Sequence, residues 1–216
     1  MANLEKMDAF FNERATSYDE HMLKDLGLQE FYEEIAGQFS ALKNTDSLLD
    51  LGCGTGLELE RLFHQCPSLH VTGIDVSEAM LSVLKAKYPG KNLHLICGNY
   101  FDAALGEEAF GYVLSTYSLH HFTKDQKLTL YQNIRGALKP AGLFVLGDYT
   151  VKTQEEEAFY LSESLRLSGE SLPGGSYHYD TPFTKETETG LLKGAGFTDI
   201  RIVRQWESTT IFVAVK

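Results

Sequence analysis

Apolar residues in this chain alternate between short continuous runs and stripes that recur every three or four positions. The runs SLLDL (47–51), LHVTGID (69–75), LHLIC (93–97), FGYVLST (110–116) and GLFVLGDY (142–149) predict five strands. Helical spacing covers 57–66, 78–87, 124–138, 154–168 and 185–196. Two further amphipathic stretches, 4–18 and 27–43, predict helices ahead of the first strand. TDIRIVRQW and TTIFVAVK close the chain as an antiparallel strand pair. Pro140 ends the helix before it, because a proline disfavours α geometry in the preceding residue. Residues 168–184 are rich in Gly, Pro and Ser and read as a loop, and Thr184 is placed to cap the helix that follows.

Strand and helix alternating this regularly imply βαβ units. The expected fold is α/β, a doubly wound, mostly parallel sheet with helices on both faces. The expected organisation is one domain over 1–216, with a helical cap at 1–45 and an insertion at 151–183 that covers the site. No apolar run is long enough to cross a bilayer. The start of the chain lacks a basic and apolar leader, and a cytoplasmic location is expected.

Charge narrows the partners. The net charge of −11 repels phosphate backbones, so nucleic acid is not expected as a partner. Cys53, Cys66 and Cys97 are odd in number and lack CxxC spacing, which fits buried reduced thiols rather than disulfides or a zinc site. Oligomeric state is left unassigned.

The most informative segment is Leu49-Asp50-Leu51-Gly52-Cys53-Gly54-Thr55-Gly56, where a strand gives way to a helix. Gly52, Gly54 and Gly56 allow the backbone close to a ligand, and the new helix presents free N–H groups there. Asp75 ends the second strand, where a carboxylate can accept from both ribose hydroxyls of an adenosine. The spacing is GxGxG, with Leu57 where a nicotinamide fingerprint would carry its third glycine. Asp50 would repel a pyrophosphate but suits the ammonium of an amino-acid ligand. The ligand indicated is S-adenosylmethionine.

On these motifs the chain resembles the class I S-adenosylmethionine-dependent methyltransferases of small-molecule type, over nearly its whole length. That resemblance implies a seven-stranded Rossmann-like sheet of order 3-2-1-4-5-7-6, with the last strand antiparallel. LDLGCGTG matches the first cofactor motif, with Cys53 inside it, and Asp75 matches the ribose acid, with Val76, Ser77 and Met80 beside the adenosine. Gly98-Asn99-Tyr100 stands where the family carries GD and an apolar residue, so Asn99 takes the place of the usual Asp toward adenine. LSTYSLHHF, which contains Ser115, and LKPAGLFVLGDY resemble the fourth and fifth strand motifs. The segment Phe10 to Asp19 resembles an N-terminal helix whose tyrosine, here Tyr18, closes over the cofactor.

Methyl transfer from a sulfonium is an in-line displacement with the nucleophile about 3–3.5 Å from the methyl carbon. His120 and His121 follow the fourth strand, where an acceptor faces the cofactor, and either is a candidate base or a loop-ordering residue. Asp148 ends the fifth strand and can bind a cationic acceptor, orient a hydroxyl or cap a loop. Tyr160, Tyr177 and His178 supply aromatic faces from the insertion and, with Tyr18 and Asp148, form the expected acceptor pocket. The His spacing matches no standard metal site, so no metal is expected. The expected activity is methyl transfer to a small-molecule acceptor. An RNA or protein methyltransferase is the alternative, and a non-catalytic cofactor-binding module a further one.

Overall fold

In the computed structural model, residues 5–168 and 177–216 are described. The sheet runs β3 (Asn92–Cys97), β2 (His70–Asp75), β1 (Ser47–Leu51), β4 (Phe110–Thr116), β5 (Leu138–Val151), β8 (Thr209–Val215), β7 (Thr198–Gln205). The first five are parallel, and β8 is antiparallel to both neighbours. The expected order is therefore present, with one addition. Phe183–Thr184, expected as the end of a loop, form a short strand β6 against Thr150 and Val151 of β5. That pairing exists because β5 continues to Val151 instead of ending at Tyr149.

Central strands are covered on both faces, which is why they are almost wholly apolar. Successive residues serve opposite faces of the sheet. Leu48, Val145 and Val213 pack with Phe31, Ile35 and Phe39 in and beyond α3 (Gln29–Gly37) and with Leu59 and Leu62 of α4 (Leu59–Gln65). Their neighbours Leu49, Phe144 and Phe212 pack with Leu130, Tyr131 and Ile134 of α6 (Lys124–Ala137) and Leu192 of α8 (Lys185–Gly194). A β-carbon on Gly147 would lie 2.5 Å from the Phe31 ring, so α3 can sit this close to the sheet only over a glycine. Helices α5 (Glu78–Lys87) and α7 (Gln154–Ser168) complete the cover.

The predicted helix over 4–18 is divided. Helix α1 (Met7–Arg14) stops where Ser17 N–H donates to the Arg14 carbonyl, a tight turn. The chain resumes as α2 (Tyr18–Glu20), which runs into a π-helical turn at His21–Asp25. Thr184 caps α8 as expected, its Oγ1 accepting from Thr187 N at 3.2 Å. No helix among the described residues is long and apolar enough to cross a membrane.

Strand order reverses between β1 and β4, the place where an open α/β sheet leaves a crevice at its carboxyl edge. The site lies there.

Candidate active site

The glycine loop is tied down at both ends. Gly52 N and Cys53 N donate to the Ile74 carbonyl at 2.8 and 3.3 Å. Gly52 has φ 72°, and a β-carbon there would lie 2.0 Å from Ser118 Oγ, so the turn after β4 passes directly over it. Asp75 accepts from Gly54 N at 2.9 Å through one oxygen and from Ser77 N at 2.8 Å through the other. Burial raises its pKa, and those backbone donors oppose the rise.

Beneath the loop, Asp50 is fully buried and neither of its carboxylate oxygens has a hydrogen-bond partner. Glu58, at the start of α4, is its neighbour. One Glu58 oxygen is also without a partner, and the other accepts from Thr116 Oγ1 at 3.4 Å. Burial, then the Glu58 charge, push the Asp50 carboxyl well above its usual range. Burial likewise raises Glu58. With Asp75 they place three buried carboxyl groups at the loop, and Lys87 is the cation whose charge reaches Glu58, an arrangement that suits a ligand carrying positive charge.

Above the loop is a cavity lined by Gly52, Gly54, Asp75, Val76, Met80, Asn99 and Tyr100, and roofed by Met7, Phe11 and Tyr18. S-adenosylmethionine fits this donor set. Asp75 lines the cavity and would offer an acceptor to ribose, Val76 and Met80 would offer an apolar bed to adenine, and the carboxyl groups below would favour the cationic methionine end. The Asn99 Oδ1 already accepts from Phe101 N at 3.0 Å, which fixes the side chain in its turn.

A larger cavity of about 600 Å³ adjoins the first. Phe11, Tyr18, Tyr117 and His121 line both. Its own walls include Phe10, Arg14, His120, His178 and Asp180. The His178 ring stacks on Phe10 with centroids 3.6 Å apart and planes 8° from parallel. Tyr117 holds φ 47°, an unusual value for a side-chain-bearing residue, and its hydroxyl shares a hydrogen bond with Thr209 at 2.7 Å.

His120, His121 and Asp180 form the far wall, with the carboxylates of Asp148 and Glu188 buried behind it. His120 Nδ1 is 2.6 Å from Asp148 Oδ1, and its Nε2 is 3.5 Å from Asp180 Oδ1. His121 Nδ1 is 2.9 Å from the Tyr179 carbonyl and 3.4 Å from Asp180 Oδ1. Behind them, Lys127 Nζ lies 3.9 Å from Asp148 and donates to Glu188 at 2.7 Å, all inside the core. Burial works against the charged form of His120, but the Asp148 charge and hydrogen bond outweigh it and raise its pKa. For His121, burial and then the His120 charge lower it. Burial opposes ionisation of Asp180 too, yet the His121 hydrogen bond and the nearby imidazoles hold it at about 2. His120, His121 and Asp180 offer ligand atoms within 4.8 Å of one another. Both rings, however, direct Nδ1 at an oxygen, and Asp180 serves as their shared charge partner.

The expected site residues divide accordingly. Tyr18, Gly52, Gly54, Asp75, Val76, Met80, Asn99 and Tyr100 meet at the first cavity. Asp50 and Cys53 are buried beneath the loop. Gly56 turns the chain into α4 at φ 72° and accepts from the Tyr88 hydroxyl at 2.7 Å. Gly98 N donates to the Asp75 carbonyl, and Ser115 Oγ donates to Leu51 O, so both support strand ends without lining a cavity. Of the expected acceptor pocket, Tyr18, His121 and His178 converge. Asp148 stands behind His120, not on the wall. The Tyr160 hydroxyl pairs with the Tyr149 hydroxyl at 2.8 Å, away from the cavities. Tyr177 forms a backbone bridge with Lys6.

Sequence reasoning did not single out Glu58, Phe11 or Tyr117 as site residues, and it met Asp180 only as the last member of the cluster Tyr177-His178-Tyr179-Asp180 in the insertion. Glu58 looks like an ordinary surface acid at a helix start. Asp180 lies 59 positions beyond His121 in a polar loop, and tertiary contacts fasten it there, with Thr181 donating to the carbonyls of His120 and Phe122 and His121 Nδ1 meeting the Tyr179 carbonyl.

A methyltransferase-domain family profile matches residues 48–142. A carboxy-S-adenosyl-L-methionine synthase of Nautilia profundicola is 25% identical over 99% of this chain and 96% of its own. A Nostoc punctiforme structure described as a candidate O-methyltransferase superposes with TM-score 0.71 and 19% identity, over 95% of this chain and 60% of that one. Human N-acetylserotonin methyltransferase, solved with its methyl donor, superposes with TM-score 0.63 and 18% identity, over 99% of this chain and 63% of the human one. Residues 48–142 thus carry a methyltransferase domain, and the sheet order and the glycine loop with its acids are those found in class I S-adenosylmethionine-dependent methyltransferases.

Proposed function

We propose that this enzyme methylates a small molecule held in the larger cavity. One observation carries the proposal: Phe11, Tyr18, Tyr117 and His121 are walls of both cavities, so an acceptor in the second lies against the donor in the first. When bound, S-adenosylmethionine supplies an electrophilic methyl carbon. The chain's residues hold the partners in line and exclude water, with aromatic faces on one side and the histidine wall on the other. Arg14 is the one arginine or lysine among the described lining residues of the larger cavity and His120 the histidine with a raised pKa, against Glu20, Asp25 and Asp180. That balance disfavours a polyanionic acceptor such as RNA.

The test is incubation with methyl-labelled S-adenosylmethionine and a mixed metabolite pool, with the labelled product identified by mass. Label in a small organic product is expected. Label confined to RNA or protein fractions would assign the enzyme to another acceptor class.

A further inference from the structure

His120 and His121 are adjacent in sequence but chemically unlike. Both nitrogens of His120 face carboxylates, Asp148 at 2.6 Å and Asp180 at 3.5 Å. That is the setting of an imidazolium, which donates from both nitrogens. His121 is different. A carbonyl can only accept, so the 2.9 Å contact with Tyr179 O puts the His121 proton on Nδ1. Asp180 Oδ1, 3.4 Å from the same nitrogen, reinforces that tautomer. The lone pair of a neutral ring is then on Nε2.

Nε2 of His121 makes no hydrogen bond to a described residue. Nor is it sealed in: the buried side-chain atoms left without partners are oxygens of Asp50, Glu58 and Asp148. His121 lines both cavities, whereas His120 lines only the larger one. Burial, and then the charge of the His120 ring, lower the His121 pKa and so favour its neutral form. The ring is also held firmly. Thr181 N donates to the His120 carbonyl at 2.6 Å, and Thr181 Oγ1 donates to the carbonyls of His120 and Phe122 at 3.0 and 3.1 Å, fastening the Asp180 loop to the histidine turn.

We propose that His121 Nε2 is the proton acceptor of the reaction, that Asp180 positions it, and that the methyl acceptor is a hydroxyl on a flat, apolar-faced molecule. This rests on the small-molecule function proposed above. A thiolate or free amine needs no base, whereas a hydroxyl does. The flat shape follows from Phe10, Phe11, Tyr18 and Tyr117 around the cavity. In the step, an oxygen lone pair forms the O–CH3 bond, the C–S bond breaks with its pair left on sulfur, and the hydroxyl proton moves to Nε2. The positive charge passes from sulfonium to imidazolium and leaves later as a proton to water.

The test begins with nitrogen NMR of imidazole-labelled protein carrying S-adenosylhomocysteine. At about neutral pH, His121 should show one protonated nitrogen, Nδ1, and His120 two. Asp180→Asn should shift His121 toward a mixture of tautomers while S-adenosylhomocysteine affinity stays within about threefold. Turnover is then followed with simple phenols, thiophenols and anilines as probe acceptors. His121→Gln should lower kcat on a phenol by about 10²–10⁴-fold, and the loss should shrink above the phenol's own pKa, where no base is needed. A protonated Nε2 on His121, or a pH-independent loss in His121→Gln, overturns the proposal. So does a stoichiometric zinc or magnesium ion that shifts both histidine signals. Label found only in macromolecules would instead reject the small-molecule function, and the tautomer result would stand by itself.

Discussion

Asp50 and Glu58 place two carboxyl groups where folding leaves them poorly partnered, beneath the glycine loop. Both are buried, both have folded-state pKa values above the ordinary carboxylate range, and between them three oxygens lack partners. A raised folded pKa means that the folded protein binds protons the unfolded chain releases. Their stabilising contribution is therefore fully present below the unfolded pKa, and it is lost as pH rises through the folded one. Asp50→Asn removes that liability and with it part of the field that attracts a cationic ligand. In the absence of cofactor, it should raise Tm more at alkaline than at acidic pH, by about 2–4 °C per kcal/mol relieved. It should also weaken S-adenosylmethionine binding, as read by calorimetry. Wild-type affinity should fall as acid protonates the same pair. A variant that melts lower at every pH would show that Asp50 is held ionised by a partner and stabilises the fold. Asp75→Ala should behave differently, losing cofactor affinity by about 1.5–3 kcal/mol and stability together, because its carboxylate already holds the backbone of Gly54 and Ser77.

Between elements, α6, α8 and β5 meet at a buried polar clasp. Lys127 of α6 donates to Glu188 of α8, the Tyr131 hydroxyl donates to the same carboxylate, and Lys127 also faces Asp148 of β5. Lys127→Met should destabilise by about 3–5 kcal/mol in denaturant unfolding, since it strands Glu188 and leaves Asp148 with His120 as its counter-charge. The double variant Lys127→Met, Glu188→Leu should recover much of the loss. If it does not, the clasp acts through packing and not through charge. This clasp also marks where sequence reading stops. Strands such as SLLDL and the loop from Gly52 to Gly56 were legible because local pattern and backbone geometry determine them. Thr184 was legible as a cap for the same reason. Lys127 and Glu188 look like surface charges on two amphipathic helices, and their pairing 61 positions apart exists only after the sheet brings α6 and α8 together. Asp148 was legible by its place at the end of β5, but its role behind His120 depends on the histidine turn folding over it. Tyr160 and Tyr177 carried the right chemistry for a pocket, and tertiary packing placed them elsewhere.

Across the whole molecule, the N-terminal segment is a strap over the mouth of the cofactor cavity. Lys6 bridges to Tyr177, and His178 N donates to the Glu5 carbonyl at 2.9 Å. Asn12 Oδ1 accepts from Ser77 Oγ at 2.8 Å and from Ala79 N at 3.1 Å at the start of α5. Asp19 holds Thr55 of the glycine loop and Lys87 at the other end of α5. Met7, Phe11 and Tyr18 then roof the cavity. The attachments of Glu5, Lys6, Asn12 and Asp19 are polar and Met22 alone of this segment belongs to an apolar core, whereas the sheet beneath has two such cores, so the strap can open ahead of Met22 without unfolding the rest. A ligand as large as S-adenosylmethionine needs such an opening to enter, and its presence adds contacts to Met7, Phe11 and Tyr18 that exist only when the strap is closed. Amide hydrogen exchange in residues 7–25 and 177–181 should therefore slow by more than about tenfold when S-adenosylhomocysteine is added. The central strands β1 and β4 should change little, because their exchange is governed by opening of the core. Asn12→Ala removes two of the attachments to α5. It should speed exchange of the strap in the free protein, with little change in Tm, and it should quicken both association and dissociation of the ligand in stopped-flow fluorescence. Equal exchange of the strap with and without ligand would mean that this segment is a fixed part of the wall and that the cofactor enters by another route.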